Sequence, residues 1–259
     1  MSAACQQCQS ETDLDFEITM AFQPIFDISK MKVTSYEALV RHPDGSGAWE
    51  VLSKVTSDNQ YKFDQACREK AIEMAAKLNI KCHLSINFMP NAVYEPNRCL
   101  GTTLAAAKKY GFPIERIVFE FTECEEYKDI EHIQNIVNTY QKRGFTTAID
   151  DFGDGYSGLK LASLTNAEIW KIDISLIRDI DKSTKKQSIV KGIISMADEM
   201  NIRIVAEGIE TEEEFRALIM LGIIRFQGYF FAKPKFEGLP SVDVAQIKKI
   251  VADCHSTTI

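Results

Sequence analysis

Seven polar side chains stand at or near the C-terminal ends of apolar, strand-like runs. Glu37 follows VTSY, Asn87 ends CHLSIN, and Glu120 lies within IVFEFTE. Asp150 and Asp151 end FTTAI, Lys171 ends AEIW, and Glu207 ends IRIVA. A single acid in such a place reads as the cap of the next helix. A succession of them reads as a site, because parallel barrel strands open all their C-terminal ends onto one face. Five carboxylates gathered there repel one another and cannot all stay ionised unaided. Divalent cations resolve the repulsion. An all-oxygen set without clustered His or Cys selects Mg2+ or Mn2+ over Zn2+. With Lys171 and Arg41 counted, the cluster carries −3, and two divalent ions bring it to +1, a charge that attracts a phosphodiester. Adjacent Asp150 and Asp151 suit two ions if one side chain bridges. Two ions about 4 Å apart can activate a water and stabilise the leaving oxygen of an in-line displacement.

The elements that must position these groups follow from hydrophobic periodicity. Strand-like runs are read at 20–26, 33–40, 83–88, 117–121, 145–150, 169–172, 202–206 and 223–226. Helical spacing is read at 63–78, 100–110, 130–143, 187–200, 212–221 and 242–251, with a Gly-rich loop at 152–158. Strand–helix alternation means parallel strands joined by crossover helices. Eight short strands in this length, with no Gly-x-Gly-x-x-Gly after the first, predict a closed α/β barrel rather than a dinucleotide-binding sheet. Residues 1–17 read as a polar N-terminal segment and 18–259 as one domain.

The ordered motifs Gln23-Pro24-Ile25, Glu37-Ala38-Leu39-Val40-Arg41, Ile86-Asn87, Phe119-Glu120-Phe121-Thr122-Glu123, Asp150-Asp151-Phe152-Gly153, Lys171-Ile172-Asp173, Ala206-Glu207-Gly208-Ile209-Glu210 and Gln227-Gly228-Tyr229 resemble the EAL-domain family of cyclic di-GMP phosphodiesterases over about residues 18–238. The resemblance implies a modified TIM (β/α)8 barrel with one antiparallel strand, its first. It implies hydrolysis of cyclic di-GMP to linear 5′-pGpG, with two Mg2+ or Mn2+ ions and inhibition by Ca2+. It places Glu37, Asn87, Glu120 and Asp150 on one ion, and Asp150, Asp151 and Glu207 on the other. Lys171 would hold the attacking water, and Gln227 would support the metal and water shell. Gln23, Leu39 and Arg41 would contact substrate. Glu123 and Glu210 would brace the loop after Asp151, and a homodimer is implied. Val40 and His42 depart from the family pattern beside Arg41, which bears on guanine stacking; no ligand position is lost. The alternative is a non-catalytic cyclic di-GMP receptor or adaptor on the same barrel.

The chain has 259 residues, with 30 Lys and Arg against 37 Asp and Glu, a net charge of −7. That balance argues against duplex nucleic acid as a partner, which needs a basic face. No uncharged apolar run approaches the roughly 18 residues of a membrane span. The first residues, MSAACQQCQSETDLDF, show no secretory signal, so a cytoplasmic location is expected. Seven cysteines fit reduced thiols better than a disulfide framework. Cys5-x-x-Cys8 is weak for zinc without a second pair; Cys254-His255 would complete a set only if the termini meet. His42, His83, His132 and His255 are scattered and read as non-ligands.

Overall fold

The computed structural model describes residues 14–122, 130–155 and 158–256. Eight strands close a barrel: β1 (Thr19–Asp27), β2 (Lys32–Arg41), β3 (His83–Asn87), β4 (Ile117–Thr122), β5 (Thr146–Phe152), β6 (Ile169–Ile172), β7 (Arg203–Ala206) and β8 (Arg225–Phe226). From β2 to β8 each strand runs parallel to the next. β1 is antiparallel to both β2 and β8 and closes the ring between them. The expected modified TIM barrel with a reversed first strand is therefore observed. A two-residue β9 (Lys235–Phe236) adds to β1 from outside, and all nine residues of β1 are buried.

The longer helices fall where periodicity places them: α2 (Gln60–Lys77), α3 (Pro96–Tyr110), α4 (Ile130–Lys142), α7 (Thr184–Glu199), α8 (Glu212–Met220) and α9 (Val244–Ser256). Local chemistry sets their ends. Pro96 opens α3 where no amide donor is needed, and Gly111 closes it in the left-handed conformation. Thr211 and Glu214 form a reciprocal capping box at α8. Three short helices escape the sequence reading: α1 (Ala48–Leu52), α5 (Gly158–Leu164) and α6 (Ile174–Ile177). Four to seven residues are too few for a period to register. α5 starts at Gly158, where the reading ends a loop, and α9 runs past residue 251 because Cys254 remains in the core.

Apolar packing fills the space between the strands and the helices. Phe88, Phe119, Tyr140 and Phe145 form one aromatic cluster, and Phe215, Phe226, Phe230 and Phe231 another. Among the described residues Cys67 and Cys82 are free thiols, and Cys99 and Cys254 are buried. Cys5, Cys8, Glu123 and the loop residues 156 and 157 lie outside the described residues, as does most of the segment 1–17. Among the described residues, no helix is long and apolar enough to cross a membrane.

Candidate active site

The C-terminal ends of β2 to β8 converge on one mouth, as parallel strands require. Lys171, third residue of β6, is fully buried at its centre. Its Nζ lies 2.8 Å from Glu120 Oε2, 2.8 Å from Glu207 Oε1, 2.9 Å from Asp150 Oδ1 and 3.4 Å from Glu37 Oε2. Glu37 and Glu120 are themselves 5% and 1% exposed, so this is a desolvated charge cluster and not a surface pair. Gln227 Nε2 donates to Glu37 Oε2 at 2.5 Å and to Gln23 Oε1 at 3.2 Å. Gln23 in turn donates to the Ala232 carbonyl. Asn87 Nδ2 donates to Glu37 Oε1 at 2.9 Å.

Asp150 and Asp151 are neighbours in sequence, and successive strand residues ordinarily face opposite sides. Here β5 carries a bulge. Ile149 pairs with Trp170 and Phe152 with Ile172, so β5 holds one extra residue. Asp151 takes the left-handed conformation, φ +53°. The bulge re-aims the chain so that both acids line the same cavity of about 320 Å3. Thr122 Oγ1 donates to Asp151 Oδ2 at 3.0 Å and holds it there.

Two glycines set the other wall. A Cβ on Gly228 would overlap the Ile209 backbone, and one on Gly208 (φ +66°) would overlap Ile174. Only bare backbone lets the segments carrying Glu207 and Gln227 approach this closely. Glu214 accepts the amides of Glu210, Thr211 and Asp179, and so ties the segment after β7 to the one after α6.

The electrostatics follow from burial. Desolvation pushes the Glu120 carboxyl up to about 8, with Lys171 opposing and Glu37 and Asp150 adding to the shift. Glu207 is raised by burial and then by Asp150. Asp151 rises to about 6, from burial first and Asp150 second. Burial opposes the Lys171 charge, but Asp150, Glu120, Glu207 and Glu37 together hold it above its ordinary value.

Two sets of carboxylate oxygens lie close enough to share an ion: Glu37, Glu120 and Asp150, and Asp150, Asp151 and Glu207, each within 4.8 Å. Asp150 belongs to both. The set is all oxygen, and the buried Oδ1 of Asp150 has no hydrogen-bond donor although Lys171 lies beside it. These residues fit a pair of hard divalent cations.

The other anticipated residues lie around this centre. Leu39 and Arg41 line an adjoining apolar cavity of about 260 Å3 that reaches Asn87 and Thr122. Arg41 Nη1 donates to its neighbour's carbonyl, Val40 O, and feels Glu37 only through its field. Glu210 pairs with Arg178 at 2.8 Å. Among the described residues that contact ties it to the segment after β6, and not to the loop after Asp151. Three groups at the mouth were not anticipated there. Asp173 caps α6 through the Ser175 amide and also lines the cavity beside Asp151. Thr122 and Tyr229 stood inside the quoted motifs, but hydroxyls carry no charge pattern that singles them out.

Comparison with known proteins agrees with this geometry. A crystal structure of a standalone versatile EAL protein from Vibrio cholerae O395, in a c-di-GMP-bound form, superposes with a TM-score of 0.87 at 51% identity, covering 90% of this chain and 99% of that one. The manganese/cyclic di-GMP complex of BlrP1 from Klebsiella pneumoniae gives 0.83 at 32% identity, covering 90% and 60%. The blue light- and temperature-regulated antirepressor BluF of Escherichia coli is 30% identical over 223 residues, 86% of this chain and 55% of its own length. Other curated relatives are named cyclic di-GMP phosphodiesterases. The chain spans about half or less of the length of the curated relatives it matches first. The EAL domain model matches residues 8–234, and with the reversed first strand and the acidic mouth this shows that the chain belongs to the EAL domain family.

Proposed function

We propose that this chain hydrolyses one phosphodiester bond of cyclic di-GMP to linear 5′-pGpG, acting through residues 18–259 as a phosphodiesterase domain. The observation that carries the reading is the pair of acidic groups sharing Asp150 around Lys171. Relatives named for this activity and neighbours holding cyclic di-GMP support the choice of substrate. Glu37, Asn87, Glu120 and Asp150 would hold one cation, and Asp150, Asp151 and Glu207 the second, with Mg2+ or Mn2+ preferred and Ca2+ inhibitory because its geometry is looser. Bound there, the pair supplies Lewis acidity toward water and phosphoryl oxygens.

The chain's own groups supply position and protons. Lys171 keeps its proton because four carboxylates surround it, and its Nζ donates to an oxygen placed at the centre. Gln227 holds Glu37 in orientation and is itself anchored by Gln23. The apolar wall with Leu39 takes a base of the dinucleotide, and Arg41 faces its phosphate. Glu210 acts through Arg178, and Glu123 completes the brace. The exposed apolar side chains Leu159, Ile189 and Met196 form the face of a homodimer.

A receptor or adaptor is the competing reading, and the antirepressor relative favours it. Incubation with cyclic di-GMP and Mn2+, followed by nucleotide chromatography, separates the two. Linear product from wild type, and a loss of at least about a thousandfold in Glu37→Ala, is expected. Bound but uncut dinucleotide in the wild type would overturn the phosphodiesterase reading.

A further inference from the structure

The opposite end of the barrel holds a second, separate cavity of about 80 Å3. One water centre needs roughly 10–15 Å3, so the space admits several atoms. Barrel interiors are ordinarily filled by branched apolar side chains. Here the layer below the mouth contains Ser35 and Ser85, buried and 3.2 Å apart through their hydroxyls. One of those two hydroxyls donates to the other. Both residues line the cavity, so the pair can offer a hydroxyl donor to an occupant.

The cavity's outer rim is cationic. Lys30 comes from the turn after β1, Arg203 from the start of β7 and Arg225 from the start of β8, while burial holds His83, at the start of β3, toward its neutral form. Among the described residues two carboxylates lie at this end: Asp27, 3.3 Å from Arg225 Nε, and Glu168, whose field reaches Arg203. The other oxygen of Asp27 accepts from Ser29 and the Lys30 amide. Arg203 has no carboxylate within 4.0 Å among the described residues. Glu168, whose field it feels, is engaged with the Thr147 amide and Gln141. Three fixed cations against two acids, Asp27 and Glu168, leave one positive charge uncompensated in a chain whose overall charge is −7. Burial and Arg225 both act against the Arg203 charge. Water fills such a space but does not offset its charge.

We propose that this floor cavity binds a small tetrahedral oxyanion of the phosphate class, held by Arg203, Arg225 and Lys30 from outside and by the Ser35–Ser85 hydroxyl pair from within. The anion is free phosphate or the terminal phosphate of a nucleotide, whose remainder stays outside the barrel. Planar guanidinium groups suit such oxygens. Glu120 and Lys171 form the inner wall of the same cavity, so an occupant lies directly beneath the mouth. The proposal stands independently of the phosphodiesterase reading.

The test is titration calorimetry of the full chain with inorganic phosphate in EDTA at fixed ionic strength. Without cations the acidic mouth repels anions, so uptake in EDTA reports on the floor. Saturable one-to-one uptake is expected, weakened about tenfold or more in Arg203→Gln, the scale of one charge-assisted hydrogen bond. Ser85→Val, which fills the cavity, is expected to abolish it. Guanosine 5′-monophosphate is the second arm. Uptake with the same Arg203 dependence identifies a nucleotide's terminal phosphate as a ligand, and uptake of phosphate alone identifies the free anion. No saturable phosphate uptake by the wild type, or equal affinity in Arg203→Gln, would overturn the proposal. Arg203 has no ion pair to lose, so that variant decides the question even if Ser85→Val fails to fold.

Discussion

At the mouth, five carboxylates close around one ammonium, Lys171; at the floor, Lys30, Arg203 and Arg225 rim a cavity against the carboxylates of Asp27 and Glu168. The two regions share a wall, since Lys171 and Glu120 border the floor cavity as well. They differ in depth. Burial first and neighbouring acids second raise the proton affinity of Glu120 and Glu207, whereas the floor cations keep partial contact with solvent. Each end therefore keeps an excess charge that the chain itself does not neutralise. Desolvated excess charge is costly, so both ends are poised for a counterion of opposite sign. The difference teaches how strongly each end depends on that counterion.

The largest effect is expected at Lys171. Lys171→Met removes the single cation inside the acidic cluster while keeping its length and apolar stem. Breaking a buried ion pair typically costs about 3–5 kcal/mol. Chemical denaturation in EDTA above pH 8 is expected to show a loss of that order, shrinking toward pH 5 as the carboxyls protonate instead. Turnover with Mn2+ is expected to fall about a hundredfold or more. A loss of stability that does not change with pH would mean that Lys171 is only a packed side chain.

A smaller effect separates the two ends by pH. Glu120, Glu207 and Asp151 all have folded-state values above those of an exposed carboxyl, driven first by burial. For such a group the stabilisation belongs to the protonated form. It is complete below the unfolded value and is lost as pH rises through about 6 for Asp151 and about 8 for Glu120. Metal-free protein is therefore expected to melt at progressively lower temperature from about pH 5 to pH 8. Saturating Mn2+, which binds the ionised carboxylates, is expected to give a melting shift that grows over the same range. A metal-free melting temperature that rises with pH would break the account of the mouth.

Most of the mouth was legible in the sequence because period-two strands announce their own ends. An acid closing an apolar run is visible one strand at a time, and the parallel arrangement then fixes convergence for Glu37, Asn87, Glu120, Lys171 and Glu207. The β5 bulge was not legible. Asp150 and Asp151 were expected to act together, but strict alternation puts adjacent residues on opposite faces, and only the left-handed Asp151 resolves this. The floor was not legible either. Lys30, Arg203 and Arg225 lie far apart in the chain, as do Ser35 and Ser85, and no motif or period joins them. Their meeting depends on the register of the strands around the closed barrel, which no local pattern encodes.

The smallest expected effect is at Arg203, and its sign is the point. Lys171 is a buried cation held charged by its neighbours. Arg203 is a partly buried cation whose charge is opposed first by burial, with Glu168 supporting it and Arg225 opposing it. Removing the first charge leaves acids unpaired; removing the second relieves a desolvation cost, while the effects of Glu168 and Arg225 act in opposite senses. Without phosphate, Arg203→Gln is expected to change stability by no more than about 0.5 kcal/mol, in the stabilising direction if at all. In phosphate the order reverses, because only the wild type gains from the bound anion, and the gain grows with the logarithm of phosphate concentration. Differential scanning calorimetry of both proteins, with phosphate exchanged for chloride at constant ionic strength, measures the crossing. A marked loss of stability in chloride would show that Arg203 already has its counter-charge within the fold, and the contrast between the two ends of the barrel would then disappear.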